Sequence, residues 1–540
     1  MLQLFQPCDT STLMRRRRDL EVVWWIRAIQ AEILRICRSW VRSLEVLSGR
    51  GYPPRPGDKS ISTQWLSRCL KKHGILNHHG SVATVELRAL DGNRGLVGSI
   101  ARLHITYNEG STHGPSTLIL KMTSPGIHQR YSVMRSGLSR EASLYETVGS
   151  HKPVPQPGYP PVPGTITTAA EKAGGMSLIP GLLPQALHTH SSLLMGECVL
   201  LMKDLSAAGG TTGNRLFGDQ IWGSSSRPPH LPPPVLALEA VFLTAADMHA
   251  RHWRDPWLLQ PAQGWLKASR WYRGQGRSEW ELAIRRARLS WEAVKVRFGG
   301  SESPGVGGEG SGVGDKPTSI PGLFTLSEKL VRIVDESFAR ASWAGLQKHL
   351  GDPLVPWTLC HGDFHAANMF LFGDSLDAGV GEEGGQGATT HHHSEQSASS
   401  ATAGAKPAAS MGRQGGHPRV ALFDWAEVGP WEPMTDLGQM VISDISPALF
   451  QEHARRMVEL YWERLVGGGV DPGAYPLEQC WDDFCRGGVE RWIWVFSVLA
   501  VFPRVPEGLV KYFHDQLLAF IQAFGGGRTY YQLKPVVLLT

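Results

Sequence analysis

The stretch His361-Gly362-Asp363-Phe364-His365-Ala366-Ala367-Asn368 decides the reading of this chain; the apolar run Pro356 to Cys360 leads into it and Met369 to Phe372 follows it. Its pattern, H-x-D-x-x-x-x-N, separates Asp from Asn by five residues, a step that bends one loop so that both side chains face a single metal-phosphate site. Farther on, Val420-Ala421-Leu422-Phe423 reads as a short buried strand delivering Asp424. Two such carboxylates near one another require a cation between them. Phosphoryl transfer needs this set: a carboxylate to orient the attacking hydroxyl, oxygen ligands for Mg²⁺, and a cation on the phosphates. Asp363 is then the candidate base, Asn368 and Asp424 the candidate metal ligands, and His361 the residue that holds the loop. Two other readings stand beside this one. His361, Asp363 and His365 alternate as three ligands of a metal-dependent hydrolase would, although that leaves Asn368 and Asp424 unexplained. Taken singly, Asp424 and Asn368 are also ordinary loop caps.

Upstream of the loop, two alternating runs, Ala83 to Ala89 and Ala101 to Tyr107, predict half-buried strands, and Thr117 to Met122 a third, in an antiparallel meander. Helical periodicity follows at Arg140 to Val148, Val235 to Trp253, Ser327 to Leu350 and most of Ala448 to Phe524. The fold class is therefore α+β, a small antiparallel-sheet lobe before a larger, mainly helical one. The expected organisation is an N-terminal helical extension (1–57), a nucleotide-binding lobe (58–205), a flexible insertion (206–234) and a helical lobe (235–540). Low-complexity insertions at 299–317 and 373–417 interrupt the last, and the second contains His391-His392-His393, read as a solvated tract. From Asp19 to Leu47, apolar Val22, Ile26, Ile29, Ile33, Ile36, Trp40, Leu44 and Leu47 mark an amphipathic helix whose stripe is expected to pack on the domain.

Hydrophobic content of 42% and charged content of 19% fit a soluble globular protein, and 61 Gly and 36 Pro give loops a large share. The net charge of +5 resides mostly in Arg15 to Arg18, so no nucleic-acid partner is inferred. Seven scattered cysteines without C-x-x-C pairing point to reduced thiols, no zinc and an intracellular, cytoplasmic chain, with organelle import left open by the basic first eighteen residues. No run approaches the ~20 apolar residues a membrane helix requires. Composition is silent on oligomeric state.

The two segments around Asp363 and Asp424, with Trp425-Ala426-Glu427, Gly429 and Thr435-Asp436-Leu437-Gly438, resemble the aminoglycoside phosphotransferase, choline kinase and ecdysteroid-kinase-like (CHK kinase-like) family of protein-kinase-like fold. Leu200-Leu201-Met202-Lys203-Asp204-Leu205-Ser206 looks like its strand and hinge beside adenine, and Met248-His249-Ala250-Arg251-His252-Trp253 like the helix ending before its catalytic region. The resemblance implies ATP and Mg²⁺ as cofactors and a small hydroxylated molecule as acceptor. It also implies that Lys121 contacts the phosphates, held by Glu141, and that Met202 lies at the nucleotide. Gly92, Gly95 and Gly98 depart from the usual glycine-rich loop, and Trp425-Ala426 replaces Phe-Gly, which speaks against a protein substrate. A nucleotide-binding pseudokinase is the alternative within the same fold. Nine of the nineteen tryptophans, all in the helical lobe and among them Trp271, Trp280, Trp291, Trp492 and Trp494, are expected mainly in the core. Glu427, Asp436, Asp482 and Asp483 are read as ordinary surface acids.

Overall fold

The computed structural model describes residues 25–34, 53–90, 98–149, 181–212, 233–299, 324–372 and 419–525, apart from a few positions within these ranges, together with Leu178 and Phe217. Strands Val82–Ala89 (β1), Gly98–Tyr107 (β2), Thr117–Thr123 (β3), Ala186–Ser192 (β4) and Glu197–Lys203 (β5) form one antiparallel sheet in the order β1-β2-β3-β5-β4. The expected meander is its first half. Because side chains alternate along a strand, β3 and β5 present two unlike faces. Leu118, Leu120 and Met122, with Val199 and Leu201, join Leu103 and Ile105 in a core covered by Trp65, Leu66 and Leu70 of helix Thr63–Lys72 (α1). The opposite face carries Leu200 and Met202, packed with Ile119 against Tyr145, and Lys121, which pairs in register with Leu200. Tyr145 belongs to helix Arg140–Gly149 (α3), which follows helix Ile127–Ser136 (α2). The sheet thus fixes Lys121 on the side from which α3 approaches.

The helical lobe begins at Pro234–Arg251 (α4), with proline in its first turn where no amide donor is needed. Helices Arg277–Phe298 (α5), Glu328–Arg340 (α6) and Trp343–Leu350 (α7) follow. A single helix was expected from 327 to 350, but the chain leaves the helical path at Ala341 and restarts at Ser342. Ser342 Oγ accepts from the Gly345 amide at 3.1 Å, and Arg288 takes the freed carbonyls of Phe338 and Ala341. A serine able to cap is what makes the break favourable.

Short strands Thr211–Thr212 (β6), Met369–Phe372 (β8) and Arg419–Leu422 (β9) make a second sheet, and Thr358–Cys360 (β7) pairs with Gly429–Trp431 (β10). β6 corrects the reading of 206–234 as wholly loop, since Thr211 and Thr212 pair with Leu371 and Phe370. Helices Met434–Asp444 (α8), Pro447–Gly467 (α9), Leu477–Leu499 (α10) and Glu507–Phe524 (α11) complete the core. Trp271, Trp280, Trp291, Trp492 and Trp494 are buried there as expected. Residues 91–97, 300–317 and 373–417, with the glycines at 92 and 95 and the histidine triplet, lie outside the described residues.

The N-terminal helix differs from expectation. Ile26, Ile29 and Ile33 of the predicted packing stripe are 48%, 44% and 54% exposed, while Ala28 and Ala31 are buried. Trp25 stacks on Tyr131 at 4.5 Å and Glu32 pairs with Arg130 at 2.7 Å. The two alanines are small enough to let the helix lie close against α2, so the narrow face packs and the bulky one is left outside. Among the described residues, the cysteines at 69, 198, 360, 480 and 485 are buried thiols outside any disulfide, and no helix is long and apolar enough to cross a membrane.

Candidate functional site

β7 delivers the chain to Gly362, whose φ of +80° only glycine adopts without strain and whose missing Cβ would run into the Glu427 carbonyl. Asp436, in the first turn of α8 and fully buried, accepts from the amides of His361 at 2.7 Å and Gly362 at 3.0 Å. Beneath it, His249 places Nε2 3.6 Å from the same carboxylate and Nδ1 2.9 Å from the Tyr461 hydroxyl. His361 Nε2 donates to the Phe423 carbonyl at 2.9 Å while Nδ1 accepts from the Asp363 amide at 3.3 Å. Burial holds the imidazole below its ordinary value against the pull of Asp436 and Asp363, so it is a neutral brace with its proton on Nε2.

This brace turns Asp363 into a ring of donors. Asn368 Nδ2 reaches the Asp363 carbonyl at 3.0 Å and Oδ2 at 3.2 Å, and Gln439 Nε2 reaches Oδ1 at 3.0 Å. His365 Nε2 lies 3.4 Å from Oδ2. Arg491 donates to the Gly362 carbonyl and, through Nε at 3.0 Å, to Gln439 Oε1. Burial pulls the Asp363 carboxyl upward, but His365, Arg491 and His361 outweigh it and hold the group well below the carboxylate range. Against its own burial, His365 is raised by Asp363. Asp363 is therefore ionised and fixed in direction.

The Phe423 amide donates to the Asn368 carbonyl at 3.0 Å, so the end of β9 is tied to the loop. The next residue, Asp424, adopts the left-handed conformation (φ 62°, ψ 57°), uncommon outside glycine and tolerated by aspartate. Lys121 Nζ lies 2.6 Å from Glu141 Oε2 and 2.7 Å from Asp424 Oδ1, and Glu141 Oε1 accepts the Asp424 amide at 2.9 Å. Burial lowers the lysine, but Asp424 and Glu141 more than reverse this, so the ammonium keeps its charge. Lys121, Glu141 and Asp424 meet in one cluster, and His361, Asp363 and Asn368 in a second joined to it through Phe423. Met202 is buried on the same sheet face as Lys121, beside Tyr145.

No family model and no curated protein matches the chain. Solved structures do. A choline kinase from Cryptosporidium parvum Iowa II is 8% identical over 81% of this chain and 88% of its own, with a TM-score of 0.38. A Plasmodium vivax ethanolamine kinase is 7% identical over 81% of both chains (TM-score 0.36). A choline/ethanolamine kinase family protein from Mesorhizobium loti is 12% identical over 82% and 90% (TM-score 0.33). At 0.38 and below these likenesses lend no weight to any residue assignment, and the two-lobed architecture stands on the chain's own strands and helices.

Sequence reasoning missed Gln439 and Arg491, which fix the Asp363 carboxylate from α8 and α10. The spacing Asp436-x-x-Gln439 signals only that Gln439 lies one helical turn beyond Asp436 on α8. It also misjudged three acids. Glu427, Asp436 and Asp483 are buried, not surface groups: Glu427 pairs with Lys267, Asp436 holds the loop amides, and Asp483 bonds Arg486 at 2.8 Å. Asp482 alone of the four is exposed. Lys267 is driven far below its ordinary value by burial, Arg140 and Arg491, and Arg140 itself donates to the Trp265 and Ala426 carbonyls at 2.9 and 3.2 Å.

Proposed function

We propose that this chain is an ATP-dependent kinase that phosphorylates a hydroxyl of a small molecule. The observation that carries the reading is the closure of Lys121, Glu141 and Asp424 into one charge cluster tied directly to the Asp363–Asn368 loop. Asp424 lies 303 residues beyond Lys121 and 283 beyond Glu141, yet together with the loop these groups match the parts that phosphoryl transfer needs. Asp424, the Asn368 amide oxygen and the Asp363 carboxylate are hard oxygen donors of the kind Mg²⁺ prefers, and two carboxylates already share one cation at Lys121. A bound Mg²⁺ neutralises phosphate charge; Asp424 and Asn368 are the residues to hold it.

In this reading Lys121, kept charged by Glu141, grips the phosphates of ATP, and Met202 lines the adenine side. Asp363 aligns the acceptor hydroxyl. A carboxylate held so far below neutrality is a weak base, so its main contribution is orientation, with the proton accepted late in the transfer. His361 works from behind by fixing the loop.

The test is ATP turnover by the full chain with Mg²⁺ against amino alcohols, sterols, sugars and aminoglycosides, run beside Asp363→Asn. Acceptor-dependent turnover that drops by roughly 10²–10⁴-fold in the variant, with nucleotide binding retained, is the expected result. Undiminished turnover in Asp363→Asn overturns the assignment, and nucleotide binding without turnover on any acceptor favours a pseudokinase.

A further inference from the structure

At the break between α6 and α7, the start of α7 and one side of α5 flank a cavity of about 580 Å³ that shares no residue with the Lys121 cluster or the Asp363 loop. Arg277, Arg285 and Arg288 of α5 line it beside a single acid, Glu281, so its walls carry a surplus of two positive charges. Glu281 is matched by Arg277, whose Nε lies 2.7 Å from Oε1, and Arg288 spends its donors on the uncharged carbonyls of Phe338 and Ala341. The N-terminus of α7 adds to the positive field. Ser342 Oγ takes the Gly345 amide at 3.1 Å and the first intrahelical bond runs from the Leu346 amide to the Ser342 carbonyl, which leaves the amides of Trp343 and Ala344 ahead of the helical ladder, at its positive end. Trp280 and Trp343 supply an apolar wall, their rings 5.9 Å apart. Trp280 is 3% exposed, yet its Nε1–H has no hydrogen-bond partner, whereas Trp291 on the same helix donates to Asp335 at 2.7 Å. A buried donor without an acceptor is costly, and the arginines around this one favour an acceptor that is negatively charged. We propose that the cavity binds a small organic anion, a phosphomonoester or carboxylate bearing a flat aromatic group. The anion lies among Arg277, Arg285 and the first amides of α7, where a guanidinium fork matches its oxygens, and the ring lies against Trp343; the volume suits a ligand of that size. The site is separate from the residues of phosphoryl transfer, so it stands whether or not the chain is a kinase.

The experiment is isothermal titration of the full chain with phenyl phosphate, inorganic phosphate and phenol. Phenyl phosphate should bind more tightly than either fragment, because the arginines take the phosphate and Trp343 the ring. Arg277→Glu with Arg285→Glu should weaken it by at least about tenfold at an unchanged melting temperature, and Arg285→Gln alone should move it in the same direction. Trp343→Ala should remove the advantage of phenyl phosphate over inorganic phosphate. No binding of phenyl phosphate at millimolar concentration overturns the proposal, as does undiminished binding in the arginine variants. Binding that is lost in Lys121→Met and retained in the arginine variants assigns the ligand to the Lys121 cluster and overturns it as well.

Discussion

The Glu427 carbonyl occupies the place a Cβ would take at Gly362, and the backbone there is left-handed. Gly362→Ala therefore meets both a steric clash and about 1–3 kcal/mol of backbone strain. Lower melting temperature and loss of turnover together are the expected outcome, and a melting temperature equal to wild type would contradict it. Glu141 is 1% exposed while Lys121, its partner, keeps 18%. Glu141→Ala leaves a cation without its nearest carboxylate, and removing one member of a buried pair costs about 3–5 kcal/mol; urea unfolding measures it, with the lower end expected because Lys121 retains Asp424 and some water. At this scale the sequence was informative where spacing carries geometry. The five-residue step from Asp363 to Asn368 foretold the approach of those two side chains, whereas the contact between Lys121 and Glu141 was expected from the family resemblance alone. Gln439 and Arg491 have no fixed spacing to Asp363, since only the crossing of two helices brings them to it.

That crossing is itself written in glycines. A Cβ on Gly438 of α8 would come within 2.5 Å of the Gly488 Cα on α10, and one on Gly488 within 2.6 Å of Gly438. The two helices touch backbone to backbone, so Asp436 and Gln439 on one and Arg491 on the other converge under the same loop. Gly488→Ala forces them apart at an overpacking cost of about 1–3 kcal/mol. Turnover should fall further than stability alone predicts, because Arg491 then loses the Gly362 carbonyl; kcat compared with the melting temperature separates the two. Periodicity located the long helices but merged α6 with α7, since Ala341 and Ser342 interrupt no apolar rhythm and only the cap at Gly345 reveals the break. The N-terminal stripe misled for a related reason. Periodicity reports which residues share a face, not which face is covered.

Across the whole molecule, proton uptake should follow His188, which meets Trp65 edge to face at 5.1 Å. Burial, then His190 and Lys72, holds its imidazole down to about 4 from an ordinary 6.5. A base so depressed is neutral in the fold and protonated in the unfolded chain between those values. The unfolded state then binds more protons, and stability rises as pH climbs from about 4 to 6.5. Melting temperatures across that window should climb less steeply in His188→Gln; an identical slope would assign the effect elsewhere. The arrangement around Glu141 reaches further than any single measurement. One carboxylate grips Lys121 with one oxygen and the Asp424 amide with the other, so the contributions of the sheet and of the helical lobe depend on one residue of α3. That makes α3 a shared pin: a tilt of this helix would loosen both grips at once and leave Lys121 and Asp424 to their own direct pair at 2.7 Å.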